Sequence, residues 1–103
     1  MAYNLVITER AEELLDNIVN YLVHRLKSMQ AAEHLLSQVE VVYDTLEDNP
    51  YVYPVSRDPY LKSRDYREAI VPEMNYQIVF EIEDDEVTVL GIFHQLENYP
   101  RKV

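Results

Sequence analysis

His94, Arg67, Tyr99 and Arg101 are the side chains of this sequence best suited to acid–base work and to holding an anion. An imidazole ordinarily titrates near neutrality, so His94 could give or take a proton. A phenol such as Tyr99 could donate one, and the guanidinium forks of Arg67 and Arg101 match phosphate oxygens. Arg57, Lys62 and Arg64 add three cations beside Tyr51, Tyr53 and Tyr60. Aromatic rings next to cations can stack on bases or anchor a partner. Each group also has a structural use. His94 at a strand end can hydrogen-bond a neighbour, Arg67 can join a cross-strand ion pair, and Tyr99 and Arg101 can belong to a loose tail. No metal or cofactor site is expected. Cysteine is absent, His24 and His34 fall on different predicted helices, and the acidic run Glu83–Glu86 lacks the ligand spacing of a calcium loop.

These residues must be positioned by the stretch from Tyr66 to Gln95, which reads as three strands in succession. In the middle run Tyr76, Ile78, Phe80 and Ile82 alternate with Gln77, Val79, Glu81 and Glu83, the period of a strand with one buried face. The last run sets Val87, Val89, Gly91 and Phe93 against Thr88, Leu90, Ile92 and His94, apolar on both faces and so nearer the centre of the sheet. Pro72–Asn75 and Glu83–Glu86 supply the two turns.

Upstream, Tyr3–Ile7 alternates as a short strand that should pair with the meander. Thr8 is a suitable N-cap, followed by Glu9, Glu12 and Glu13 in the first turn. Ala11, Leu14, Leu15, Ile18, Val19, Leu22 and Leu26 lay one apolar stripe on a helix from about Glu9 to Lys27. Ser28 can cap a second helix, striped by Ala32, Leu35, Leu36, Val39, Val42, Tyr43 and Leu46 and ended by Asn49-Pro50. With so few residues between them, the helices must form an antiparallel hairpin. Pro50 opens a loop to about Asp65. The fold class is therefore α+β, one domain over residues 1–103: an N-terminal strand, a helix hairpin, then a three-stranded antiparallel meander, giving a sheet of about four strands. The expected core is Leu14, Leu15, Ile18, Leu22, Leu35, Leu36, Val39, Tyr43, Ile78, Phe80, Val89 and Phe93.

The net charge of -10 opposes nonspecific nucleic-acid binding. It is unevenly spread. Residues 1–50 carry 9 acids against 3 bases and residues 77–94 carry 5 acids and no base, whereas residues 51–76 balance 4 against 4. Any anion-binding surface must come mainly from residues 57–67 and the tail. No run approaches the roughly 20 apolar residues of a membrane span, and the first eight residues lack the features of a signal peptide. A cytoplasmic protein without membrane contact is expected.

The order strand, helix, helix, long loop and three antiparallel strands resembles the RelE/ParE toxin superfamily of bacterial type II toxin-antitoxin systems. The resemblance covers nearly the whole chain. It is carried by Tyr66-Arg67, by the run Tyr76-Gln77-Ile78-Val79-Phe80-Glu81-Ile82, and by Val87 to His94 closing the last strand on histidine. Family members divide into ribosome-dependent mRNA endonucleases and inhibitors of DNA gyrase, and the resemblance implies a toxin neutralised by a cognate antitoxin. Ribosome-dependent mRNA cleavage is the leading expectation and gyrase inhibition the alternative; a module retaining only antitoxin binding is a third.

Cleavage by a 2'-hydroxyl needs a base, an acid and cations around the phosphorane. His94 matches the final-strand histidine of some endonuclease members. Arg67, Tyr99 and Arg101 would complete the catalytic set, with Arg57, Lys62 and Arg64 holding RNA. The chain departs from the endonuclease pattern at Gln77, where arginine is common, and at Gln95-Leu96-Glu97-Asn98, where a basic segment is usual. Two cationic roles are thus missing or moved.

Overall fold

The computed structural model describes residues 2–97 and 99–103, less the side chain of Arg101. Strand β1 (Asn4–Ile7) leads through Thr8 into helix α1 (Glu9–Asn20). Thr8 serves both elements at once. Its Oγ1 accepts from Ala11 N–H at 3.1 Å, capping the helix, and donates to Val89 O at 2.9 Å, tying the helix start to the last strand. The apolar stripe predicted to run to Leu26 stops earlier, because Tyr21–Arg25 widens into a π-helical turn in which Leu26 N–H bonds Tyr21 O. The extra residue in that turn rotates Leu26 out of line. Leu22 stays buried while Leu26 is exposed.

Ser28 caps helix α2 (Met29–Asp48), its Oγ accepting from Ala31 N–H at 3.1 Å. Ala32, Leu35, Val39, Val42 and Leu46 form its buried stripe; Leu36, expected in the core, lies beside that stripe and is exposed. The stretch from Pro50 to Asp65, expected as a loop, contains a 3-10 turn (Pro50–Val52) and a short helix α3 (Pro59–Ser63). Asp58 Oδ2 caps α3 by accepting from Leu61 N–H at 3.0 Å.

Strands β2 (Arg67–Ile70), β3 (Tyr76–Glu83) and β4 (Glu86–His94) form the antiparallel meander, and β1 adds to it parallel to β4. The strand order is β1-β4-β3-β2. The sheet is thus four-stranded and mixed, with the doubly apolar β4 in its interior as its sequence implies.

The alternation read from the sequence fails at one point, and the failure moves two side chains that matter. Phe80 pairs with Val89 but Val79 pairs with Gly91, so Leu90 is an extra residue and the ladder shifts between Val79 and Phe80. A bulge of this kind reverses which face later residues occupy. Val87 and Val89 therefore share the helix-covered face with Ile92 and His94, and Phe93 goes to the other. The main core joins Ile78, Phe80, Val87, Val89, Ile92, Ala69 and Val71 to the α2 stripe, with Leu14, Leu15, Ile18 and Tyr43 packed against it. Full burial of each large apolar side chain contributes about 1.5–3 kcal/mol. Phe93 is buried too, but outside that core and stacked on Tyr99. Among the described residues no helix is long and apolar enough to cross a membrane.

Candidate functional site

The side chains proposed for catalysis do not converge: His94, Arg67 and Tyr99 lie in three separate neighbourhoods. His94 ends β4 on the helix-covered face. It lines a cavity of about 580 Å³ with Leu14, Ile18, Tyr21, Tyr76 and Glu97 among its walls. Its ring meets Tyr76 edge-on with centroids 5.3 Å apart. Its Nδ1 accepts from Leu96 N–H at 3.1 Å, and its own N–H donates to Glu97 Oε1 at 2.8 Å. Among the described residues the one acidic or basic side chain besides His94 that lines this cavity is thus a carboxylate, itself paired with Lys102. Burial alone would raise the Glu97 pKa. Hydrogen bonds from Lys102 Nζ and the His94 amide, with the charge of Lys102, outweigh it and hold the carboxyl below its usual range.

Arg67 lies on the same sheet face but far from His94. It opposes Phe80 whereas His94 opposes Tyr76. That places the two about 13 Å apart along the strands and about 10 Å across two strand spacings. Its guanidinium is engaged locally: Nη1 donates to Tyr53 O at 2.6 Å, and the group sits 4.9 Å over the Tyr51 ring.

Tyr99 occupies the opposite face. Its ring stacks on Phe93 at 5.5 Å, and its hydroxyl lies 2.6 Å from Glu68 Oε2 and 2.5 Å from Gln77 Oε1. A phenol has one proton to give. With Glu68 accepting it, the Gln77 amide satisfies the second contact by turning its NH2 toward the phenol oxygen. Burial, the hydrogen bond to Glu68 and the charges of Glu68 and Asp58 push the Tyr99 phenol well above its ordinary value. Ser56, itself buried, donates to the other Glu68 oxygen. Glu68, Gln77, Ser56 and Tyr99 together line a cleft of about 630 Å³ beneath residues 53–58.

The fourth candidate, Arg101, has its side chain outside the described residues. Arg57, Lys62 and Arg64 stand on and beside α3, exposed, with Arg64 stacked 5.1 Å from the Tyr60 ring centroid and Arg57 also lining the Tyr99 cleft. Sequence reasoning noted Gln77 only as an absent arginine and passed over Glu68 and Ser56. The available signal was Glu68 itself, an acid on the same strand face as Tyr66 and Ile70.

Among the described residues no group of three or more His, Cys, Asp or Glu side chains is placed to hold a metal ion. Chemically, the Glu68 cluster is a closed hydrogen-bond network that fastens the tail to the sheet. At the His94 end, the described cation beside Glu97 is Lys102, and it is paired with that carboxylate at 2.7 Å.

A family model described as the ParE toxin of the type II toxin-antitoxin system parDE matches residues 5–99. A solved structure described as the chromosomal ParDE TA system from P. aeruginosa is similar with a TM-score of 0.64. At 20% identity it covers 90% of this chain and 96% of that one, a likeness of fold. No curated protein matches the chain.

Proposed function

The chain belongs to the ParE toxin family of type II toxin-antitoxin systems, and from that premise we propose that it arrests growth by binding and inhibiting DNA gyrase. The observation that carries this choice over mRNA cleavage is the separation of the candidate catalytic groups. Beside His94, Glu97 takes up the charge of Lys102, and Arg67 is spent on Tyr53 and Tyr51. Tyr99 donates its one O–H hydrogen bond to Glu68 on the other side of the sheet. General acid–base cleavage needs its groups within hydrogen-bond reach of one phosphate. Inhibition by binding needs only a surface, and the acid-rich chain avoids the repulsion that a ribosomal phosphate surface would impose. A cognate antitoxin is the partner such a toxin requires.

The test runs purified toxin in a gyrase supercoiling assay and, in parallel, in a reconstituted translation reaction followed by primer extension on the mRNA. Loss of supercoiling with intact mRNA is the expected pair of results, and His94→Gln should leave the inhibition within about twofold. Codon-phased cleavage that His94→Gln abolishes would instead restore the endonuclease reading, with His94, Arg67, Tyr99 and Arg101 as its catalytic set and Arg57, Lys62 and Arg64 as its RNA contacts.

A further inference from the structure

Residues 56–66 form an excursion pinned from within. Ser56 N–H donates to Tyr66 O at 2.9 Å, Tyr66 N–H to Leu61 O at 3.0 Å, and Asp65 N–H to Lys62 O at 2.9 Å. Asp58 caps α3 and gives its own N–H to Ser56 Oγ at 3.1 Å, while Leu61 is fully buried under the helix. Fixing a backbone this thoroughly removes the ordering cost that a loop would otherwise incur on binding.

This rigid frame presents three cations at the surface. Arg57, Lys62 and Arg64 are exposed. None has a carboxylate within 4.0 Å among the described residues. In a chain with 19 acidic side chains and nine basic ones, a base without an acid is a base held away from them. Of the two acids adjacent to these bases in sequence, Asp58 is turned inward to its capping bond, and Asp65 is exposed beside Arg64 with its carboxylate more than 4.0 Å from all three cations. Arg64 is steadied over the Tyr60 ring, and Tyr60 is itself 46% exposed.

We propose that Arg57, Tyr60, Lys62 and Arg64 form a docking surface for an acidic segment of a protein partner. A guanidinium fork pairs bidentately with a carboxylate, and arginine and tyrosine are the side chains that concentrate binding energy at protein interfaces. A nucleic acid fits less well. Its backbone brings a charge about every 1.7 Å, which the acidic remainder of this chain repels. A short acidic segment meets only the patch, within the ~8 Å over which charges act at physiological salt. This surface stands apart from the gyrase reading and holds whichever enzyme the toxin inhibits.

Fluorescence anisotropy with the full chain tests it, using a fluorescein-labelled glutamate-rich peptide and, separately, a labelled oligothymidylate. Peptide binding should weaken with added salt. Lys62→Glu/Arg64→Glu should lose at least about tenfold in affinity, while the charge-matched Arg25→Glu/Lys27→Glu changes it by less than about twofold. Lys62→Gln/Arg64→Gln, with a thermal melt to establish folding, should give a smaller loss in the same direction and decides the matter if the reversed variant misfolds. No peptide binding by the parent chain, equal loss in both charge reversals, or tighter binding of the oligothymidylate than of the peptide would each overturn the proposal.

Discussion

Tyr99 shows how a side chain suited to proton donation can be put to structural use. Its phenol closes the Ser56–Glu68–Gln77 network and its ring covers Phe93. Tyr99→Phe keeps the stacking and leaves the partly buried Glu68 short of a donor. We expect a loss of about 1–2 kcal/mol, measured as a lower urea midpoint at unchanged slope. The tyrosines also carry a pH dependence. Burial, and secondarily the charge of Glu12, raise Tyr43 from 10.0 to about 12, and Tyr99 moves in the same direction. A raised folded-state value means that the folded chain keeps a proton that the unfolded chain releases. The stability this represents is complete below about pH 10 and drains away as pH rises through about 12. Alkaline unfolding should therefore be steep in that window, and Tyr43→Phe should flatten it. An identical pH profile in parent and variant, followed by circular dichroism, would refute this.

At the scale of elements, the bulge at Leu90 determines where the last strand sends its side chains. Gly91 beside it is required by space. A Cβ there would stand 2.7 Å from Phe93 Cε2 and 3.0 Å from Leu14 Cδ1. Gly91→Ala must push the Phe93 ring off Tyr99 and turn the Leu14 methyl aside, and overpacking of that kind costs about 1–3 kcal/mol. A thermal midpoint unchanged by Gly91→Ala would contradict the close packing. The same bulge marks the limit of what the sequence conveys. Thr8 and Ser28 as caps, Asn49-Pro50 as a stop, the hairpin and the three strands were all legible, because each follows from local chemistry or from a period. The reversal that puts His94 under the helices and Phe93 on the far face was not. It is decided by how β4 pairs with β3, and Val87 to Phe93 offer apolar residues to both faces in either register. The π turn at Tyr21–Arg25 escaped for a similar reason, since its apolar residues fit an ordinary helix equally well. Of the candidate site, the residues could be named, but their separation is a tertiary fact. Arg67 and His94 share a face yet oppose different residues of β3.

For the molecule as a whole, the charge of -10 has an energetic consequence that individual contacts do not offset. Among the described residues only His34–Glu73 and Lys102–Glu97 come within ion-pair distance, and the first contributes attraction only when the imidazole is protonated. Most acids therefore contribute chiefly to mutual repulsion. The chain measures 41 × 31 × 24 Å. At an ionic strength of about 0.01 M the screening length is about 30 Å, so carboxylates on the hairpin and on the Glu83–Glu86 turn act on one another across the whole body. At about 0.15 M it shrinks to about 8 Å and only near neighbours interact. The unfolded chain spreads the same charges further apart and gains less from screening. Adding sodium chloride over this range should thus stabilise the fold, by on the order of 1 kcal/mol, and raise the thermal midpoint. Glu12→Gln or Glu40→Gln should reproduce part of that rise at low salt and reduce the further effect of salt. Exposed Lys62→Gln, which removes a base, should do the opposite. Comparing melts of these variants at both salt levels isolates the repulsion. A midpoint that falls with salt in the parent chain would mean that attractive pairs, and not the net charge, dominate its electrostatics.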